Sequence, residues 1–193
     1  MNDTNTNLHY DKIPTFPEEA KKKNGDVVYA VMETPQKTRH KYAFDAKIGI
    51  FMLKHTLASG LEWPYDYGFI PRTLGHDGDP LDILLLQDEP TFPGCLVKAR
   101  ILGIIRIDKN AVQNDRIIAC SVRMSGTALT TDKYDDVSDL PEELIHSLCR
   151  FLIEYSAEQG NQMEFKGVQS KDKAMEAIAE GIKAFKKAKK KSD

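Results

Sequence analysis

The chain has 193 residues, 41% of them hydrophobic and 29% charged, which is an ordinary globular balance and excludes collagen-like, disulfide-scaffold and wholly disordered classes. Lys and Arg number 27 against 29 Asp and Glu, a formal charge of -2, so the chain as a whole is not a basic nucleic-acid binder. No run approaches the roughly 18 apolar residues that a membrane helix needs, and no partner membrane is expected.

Residues 1–25 read as a polar N-terminal arm, with Pro14, Pro17 and the run Lys21-Lys22-Lys23, and residues 26–193 as a single domain. The arm shows no apolar core of a secretory signal. Val27–Met32 is rich in β-branched and apolar residues and predicts a strand. His40–Phe44, Ile48–Leu53, Leu81–Leu86, Cys95–Ile107 and Arg116–Val122 follow as strands, punctuated by Pro, Gly and Asn. The period then changes. Leu144, Ile145, Leu148, Phe151, Leu152 and Tyr155 recur at helical spacing after Pro141, and Gly160 stops that helix. A second helix follows Ser170, its expected N-cap, with Met175, Ile178, Ile182 and Phe185 on one stripe and a lysine-rich, solvated end. Strands first and helices last predict an α+β fold: a small closed antiparallel β-barrel of the OB kind with two C-terminal helices packed outside. Cys95, Cys120 and Cys149 are far apart and form no CxxC pair, which predicts a reducing, cytoplasmic setting without disulfides or zinc.

The densest chemical signal is Asp77-Gly78-Asp79-Pro80-Leu81-Asp82, three carboxylates in six residues at the entry to an apolar strand. Gly78 permits backbone conformations that other residues avoid, and Pro80 fixes φ, so the acids are held in a stiff turn. Crowded carboxylates repel one another unless a cation compensates them, and hard divalent ions prefer oxygen. An EF-hand does not fit, because its fifth, sixth and twelfth positions here hold Leu81, Asp82 and Asp88. The cluster from Trp63 to Pro71 reads mainly as core-filling rings, with Tyr67 able to turn its hydroxyl to an anion. Glu33, Lys41 and Lys54 lie on or beside predicted strands, and each alone reads as a surface charge.

Together these residues resemble the family I soluble inorganic pyrophosphatases, from about Val27 to the end of the first C-terminal helix. The turn matches that family's Asp-x-Asp-Pro-x-Asp motif. Tyr67-Gly68 stands ten residues before Asp77, and the order Glu33, Lys41-Tyr42, Tyr67 and then the turn also matches. Asn114-Asp115-Arg116-Ile117-Ile118-Ala119 is similar to the family's later acidic-basic element, and Tyr155 to its substrate-binding tyrosine. The resemblance implies Mg²⁺-dependent hydrolysis of pyrophosphate to two phosphates by an activated water. It implies Asp77, Asp82 and Asp115 as metal ligands and Asp79 as the base. Lys41, Lys54, Tyr67, Arg116 and Tyr155 would meet phosphoryl oxygens. Glu33 would hold metal-bound water, with Asp108 a further acidic candidate. A homo-oligomer is implied as well.

The chain departs from the family pattern at Ala43, where Glu is common, and at Ser156, where Lys is usual. Arg116 stands for a Lys, Asp108 comes one residue early, and either Lys54 or His55 takes the position of an Arg. A nucleotide-binding GxxxxGK[ST] loop does not occur, which argues against an NTPase. The rival readings are an OB-like module for single-stranded nucleic acid or oligosaccharide, which would show a basic groove, and a phosphate-binding relative without turnover.

Overall fold

Apolar alternation in the middle of the chain builds strands whose pairing closes on itself. In the computed structural model, which describes residues 10–21, 25–122 and 129–192, these are β1 (Val27–Thr34), β4 (Asp66–Phe69), β5 (Asp82–Leu86), β8 (Arg116–Ser121) and β6 (Leu96–Lys109). They pair in the order β1-β4-β5-β8-β6, and β6 returns to β1 to close the ring. Every junction is antiparallel except β5–β8, which is parallel, with Asp82 opposite Arg116. The ring is otherwise the antiparallel one expected; this one parallel junction arises because the chain leaves β5, builds β6 elsewhere in the ring, and returns to β5 in the same direction. The fourteen-residue β6 also carries β7 (Val112–Gln113) and β9 (Met163–Ser170). The hairpin of β2 (His40–Asp45) and β3 (Ile50–Thr56) forms a separate two-stranded sheet.

Pleating divides the ring's side chains between two clusters. Ile83, Leu85, Ile117 and Ala119 pack with Ala174 and Ile178 of α3 (Lys171–Ser192). Leu84, Leu86, Ile118 and Cys120 pack with Leu148 and Leu152 of α2 (Glu142–Glu158). Both C-terminal helices therefore lie where the periodicity puts them. The first backbone N–H of α3 donates to Asp136 Oδ2 at 2.9 Å, so Asp136 satisfies a role expected of Ser170.

The aromatic segment, whose rings predict core packing and no strand, contains β4. Gly68 is why a strand fits there: a Cβ would stand 2.1 Å from the Val31 carbonyl oxygen. In the arm, Pro17 precedes the short helix α1 (Glu18–Lys21), and Tyr10 is buried against Phe44, Phe51 and Phe69. Residues 1–9 and 22–24 of that arm lie outside the described residues.

Candidate active site

The acidic turn is built by its own backbone. Gly78 adopts φ +90°, the left-handed region that favours glycine. The Gly75 N–H donates to the Asp79 carbonyl at 2.7 Å, and the Asp79 N–H to Asp77 Oδ1 at 3.2 Å. Downstream, the Leu81 N–H donates to Thr73 Oγ1 at 2.9 Å, anchoring the exit into β5. Burial raises the pKa of Asp79, and the neighbouring charges of Asp77 and Asp82 raise it further.

The parallel β5–β8 register delivers the opposing charge. Arg116 is 6% exposed, and its Nη1 lies 2.6 Å from Asp82 Oδ2. The same nitrogen donates to the carbonyls of Asn114 at 2.6 Å and Asp115 at 3.0 Å, while Nε is buried without a partner. Tyr67 lies beneath, with its ring centroid 5.7 Å from the guanidinium carbon. Burial lifts the Tyr67 hydroxyl well above its ordinary pKa, so it acts as a neutral donor.

The adjoining wall comes from β1 and β2. Glu33 is buried; its Oε1 accepts the Phe44 N–H at 2.8 Å and its Oε2 lies 3.3 Å from Lys41 Nζ. That ammonium also stands 3.8 Å from the Tyr67 ring centroid and 5.3 Å from that of Trp63. Burial raises the Glu33 pKa and lowers that of Lys41, each against the attraction of the other. Lys41 is thus no free surface charge. Tyr155 closes this side, its ring 4.8 Å from Trp63 and near-parallel to Phe151 at 6.1 Å. The Tyr155 hydroxyl is raised by burial, and the charges of Arg116 and Asp82 are felt there.

A bulge decides the geometry at Lys54 and His55. Lys41 pairs with His55 and Tyr42 with Leu53, so Lys54 is the extra residue, and both Lys54 and His55 fall on the face of Lys41 and Ala43. Lys54 sits half-exposed at the rim, 4.0 Å from Asp45 Oδ2. His55 turns inward, with Nε2 3.8 Å from Glu158 Oε2 and its ring 6.4 Å from that of Tyr155. The two are neighbours on one wall rather than alternatives.

Two of the expected acids meet other partners. Asp115 Oδ1 accepts the Ile107 N–H at 3.0 Å, and its Oδ2 accepts from Arg106 and Gln113, each at 2.7 Å. Its carboxylate is engaged by these three donors, although the residue lines the same small cavity as Asp77 and Asp82. Asp108 faces β9, 3.4 Å from Lys166 Nζ. The residue that does reach the turn is Asn114, whose side-chain amide donates to Asp77 Oδ2 and whose Oδ1 is buried without a partner. Its place in the chain next to Asp115 was legible; its direction was not.

A cavity of about 20 Å³, room for one water-sized species, is lined by Asp77, Asp82, Asn114, Asp115 and Arg116 among others. Among the described residues, no three His, Cys, Asp or Glu side chains stand close enough together to hold a metal ion as they are oriented. The donor chemistry of Asp77, Asp79 and Asp82 still suits a hard divalent cation, since mutual repulsion is felt at Asp79 and an orphaned neutral oxygen lies beside them. Asp115 is instead held by Arg106, Gln113 and the Ile107 N–H.

Comparison with known proteins agrees with this geometry. An inorganic pyrophosphatase of Haloferax volcanii is 34% identical over 161 residues, 83% of this chain and 89% of its own length. One from Synechocystis is 32% identical over 175 residues, 91% of this chain and 98% of its own. The crystal structure of inorganic pyrophosphatase from Thermus thermophilus superposes with a TM-score of 0.81 at 27% identity, covering 93% of this chain and 99% of that one. The inorganic pyrophosphatase of Helicobacter pylori gives 0.80 at 27% identity, covering 91% and 99%. The family model described as inorganic pyrophosphatase matches residues 30–186, a span that holds every residue of the acidic turn and of the wall facing it. This chain therefore belongs to the inorganic pyrophosphatases, enzymes that hydrolyse pyrophosphate to phosphate and are in general metal-dependent.

Proposed function

We propose that this chain hydrolyses pyrophosphate with Mg²⁺ held by Asp77 and Asp82, with Asp79 as the base. The supporting observation is a stiff acidic turn facing a buried guanidinium across a parallel strand pair, Asp82 to Arg116 at 2.6 Å. Bound Mg²⁺ would neutralise phosphoryl charge and acidify water. The protein's own groups do the rest. Asp79 lies between the two outer aspartates and takes the proton of the attacking water. Arg116, Lys41 and Lys54 meet the charge that develops on the phosphoryl oxygens, Arg116 through its planar fork. Tyr67 and Tyr155, kept protonated by burial, add directional donors.

Glu33 serves by holding Lys41 rather than by facing water, as its two oxygens are taken by Lys41 and the Phe44 N–H. Asp115 is a clamp between β6 and β8, not a ligand, and Asp108 stays outside the site. The reading extends to a homo-oligomer: exposed Ile153 and Phe165 line one groove with Ile145 and Val168, an apolar surface that copies could bury. The free cysteines Cys95, Cys120 and Cys149 support a reducing, cytoplasmic setting, and no helix among the described residues is long and apolar enough to cross a membrane.

Asp82→Asn tests the assignment. Titration calorimetry is expected to show weakened Mg²⁺ binding together with lost phosphate release. Unchanged Mg²⁺ affinity would remove Asp82 from the ligand set.

A further inference from the structure

Each carboxylate expected to bind metal is held by a side-chain nitrogen of this chain: Asp77 by Asn114, Asp82 by Arg116, and Asp115 by Arg106 and Gln113. These contacts are not equivalent. Asn114 is neutral, and the Arg106–Asp115 pair lies along a separate groove with Gln169 and Lys166. Among the described residues, Arg116 is the cation ion-paired with an acid of the turn, the Lys109 charge being felt at Asp79 from farther off.

Its hydrogen bonding is lopsided. Nη1 carries two hydrogens yet faces three acceptors, Asp82 Oδ2 at 2.6 Å and the carbonyls of Asn114 at 2.6 Å and Asp115 at 3.0 Å. Nε, by contrast, is buried and unpartnered. A buried donor without an acceptor is costly, so the guanidinium is oversubscribed at one end and unsatisfied at the other. Two of the three acceptors belong to its own chain segment and travel with it. Asp82 is the one that can be exchanged.

We propose that Arg116 neutralises Asp82 until a divalent cation takes that carboxylate, and then turns its guanidinium to a phosphoryl oxygen. A cation on Asp82 cancels the attraction that holds Nη1 and adds repulsion, and an incoming oxyanion supplies the acceptor that Nε lacks. Metal and pyrophosphate therefore assist each other's binding, and part of the free energy linking the two passes through one side chain. This rests on the reading of the turn as a Mg²⁺ site.

The test is Mg²⁺ binding by calorimetry without substrate, followed by binding of methylene bisphosphonate to the Mg²⁺-loaded protein. Arg116→Gln is expected to tighten Mg²⁺ by about 10- to 100-fold, the scale of a hydrogen bond to a charged group. It should weaken the bisphosphonate by at least about tenfold. Effects of opposite sign separate exchange from a merely structural role, which would weaken both. Lys54→Gln removes the same charge from the rim and should change Mg²⁺ affinity by less than about twofold, because that site is exposed and screened. Arg116→Lys keeps the charge but loses the fork, so its Mg²⁺ affinity should lie between wild type and Arg116→Gln, and it carries the test if circular dichroism shows the Gln variant unfolded. Unchanged or weaker Mg²⁺ binding in these variants, with wild-type hydrolysis still Mg²⁺-dependent, overturns the exchange and leaves the functional reading standing. Wild-type protein that fails to bind Mg²⁺ overturns both.

Discussion

Replacing Lys41 with Met would strand Glu33. The two side chains are 12% and 11% exposed, and the ammonium lies 3.3 Å from Glu33 Oε2. Met keeps the unbranched stem against Trp63 and Tyr67 and removes only the charge. Glu33 then has two escapes. Remaining ionised without its partner costs about 3–5 kcal/mol. Taking up a proton costs about 3.4 kcal/mol at pH 7, for a carboxyl of ordinary pKa 4.5 at about 1.4 kcal/mol per pH unit. The cheaper path sets a deficit of about 3 kcal/mol, or about 10 °C in Tm for a domain of this size. The sign of the pH dependence follows. Folding raises the Glu33 pKa, so its contribution is fully present below 4.5 and is lost as pH rises through the folded-state value. The deficit of Lys41→Met should accordingly shrink to below about 1 kcal/mol at pH 5. Urea unfolding at pH 5 and pH 7, at one protein concentration, reads this directly. The double variant Glu33→Gln with Lys41→Met should recover most of the loss, since the amide oxygen that replaces the carboxylate still accepts the Phe44 N–H. A Lys41→Met protein as stable as wild type at pH 7, or a deficit that ignores pH, would refute the pairing.

Asp79→Asn is expected to lower kcat by about 10²–10⁴ with Mg²⁺ affinity almost unchanged, a loss that narrows at high pH; a matching fall in affinity would make Asp79 a ligand. Asp115→Asn should cost about 1–3 kcal/mol in urea unfolding, because Arg106 and the Ile107 N–H lose a charged acceptor, and calorimetry should find Mg²⁺ binding intact. Weakened Mg²⁺ binding in a fully stable Asp115→Asn protein would return that residue to the metal. Gly68→Ala would set a Cβ 2.1 Å from the Val31 carbonyl oxygen and 2.9 Å from Met32 Cα, so a loss above the usual 1–3 kcal/mol of overpacking, about the whole stability of the fold, is expected. A Tm within about 2 °C of wild type would contradict it.

The strands that the sequence announces are those rich in apolar and β-branched residues, among them the largely buried Val27–Thr34 and Asp82–Leu86. β4 is four residues long and entirely buried, so it shows no period, and in β9 the alternation of Met163, Phe165 and Val168 is broken where Lys166 is left unpaired between Phe165 and Gly167. The same limit applies at the site. Asp77, Asp79 and Asp82 are legible because a local turn holds them together. The partners of Asp115 were not legible because Arg106, nine residues earlier, meets its carboxylate across the β6–β8 return. Lys41 looked like a solvated charge because its partner Glu33 lies on a different strand. Local spacing names the acids; which cation each one meets is settled by tertiary register.

The most direct test of the account is phosphate release from pyrophosphate by the purified full chain, measured with Mg²⁺, in excess chelator, and after Mg²⁺ is restored. The account predicts two phosphates per pyrophosphate with Mg²⁺, none in chelator, and full recovery on restoration. Equal rates in chelator, or salt-sensitive oligonucleotide binding with no turnover at all, would contradict it.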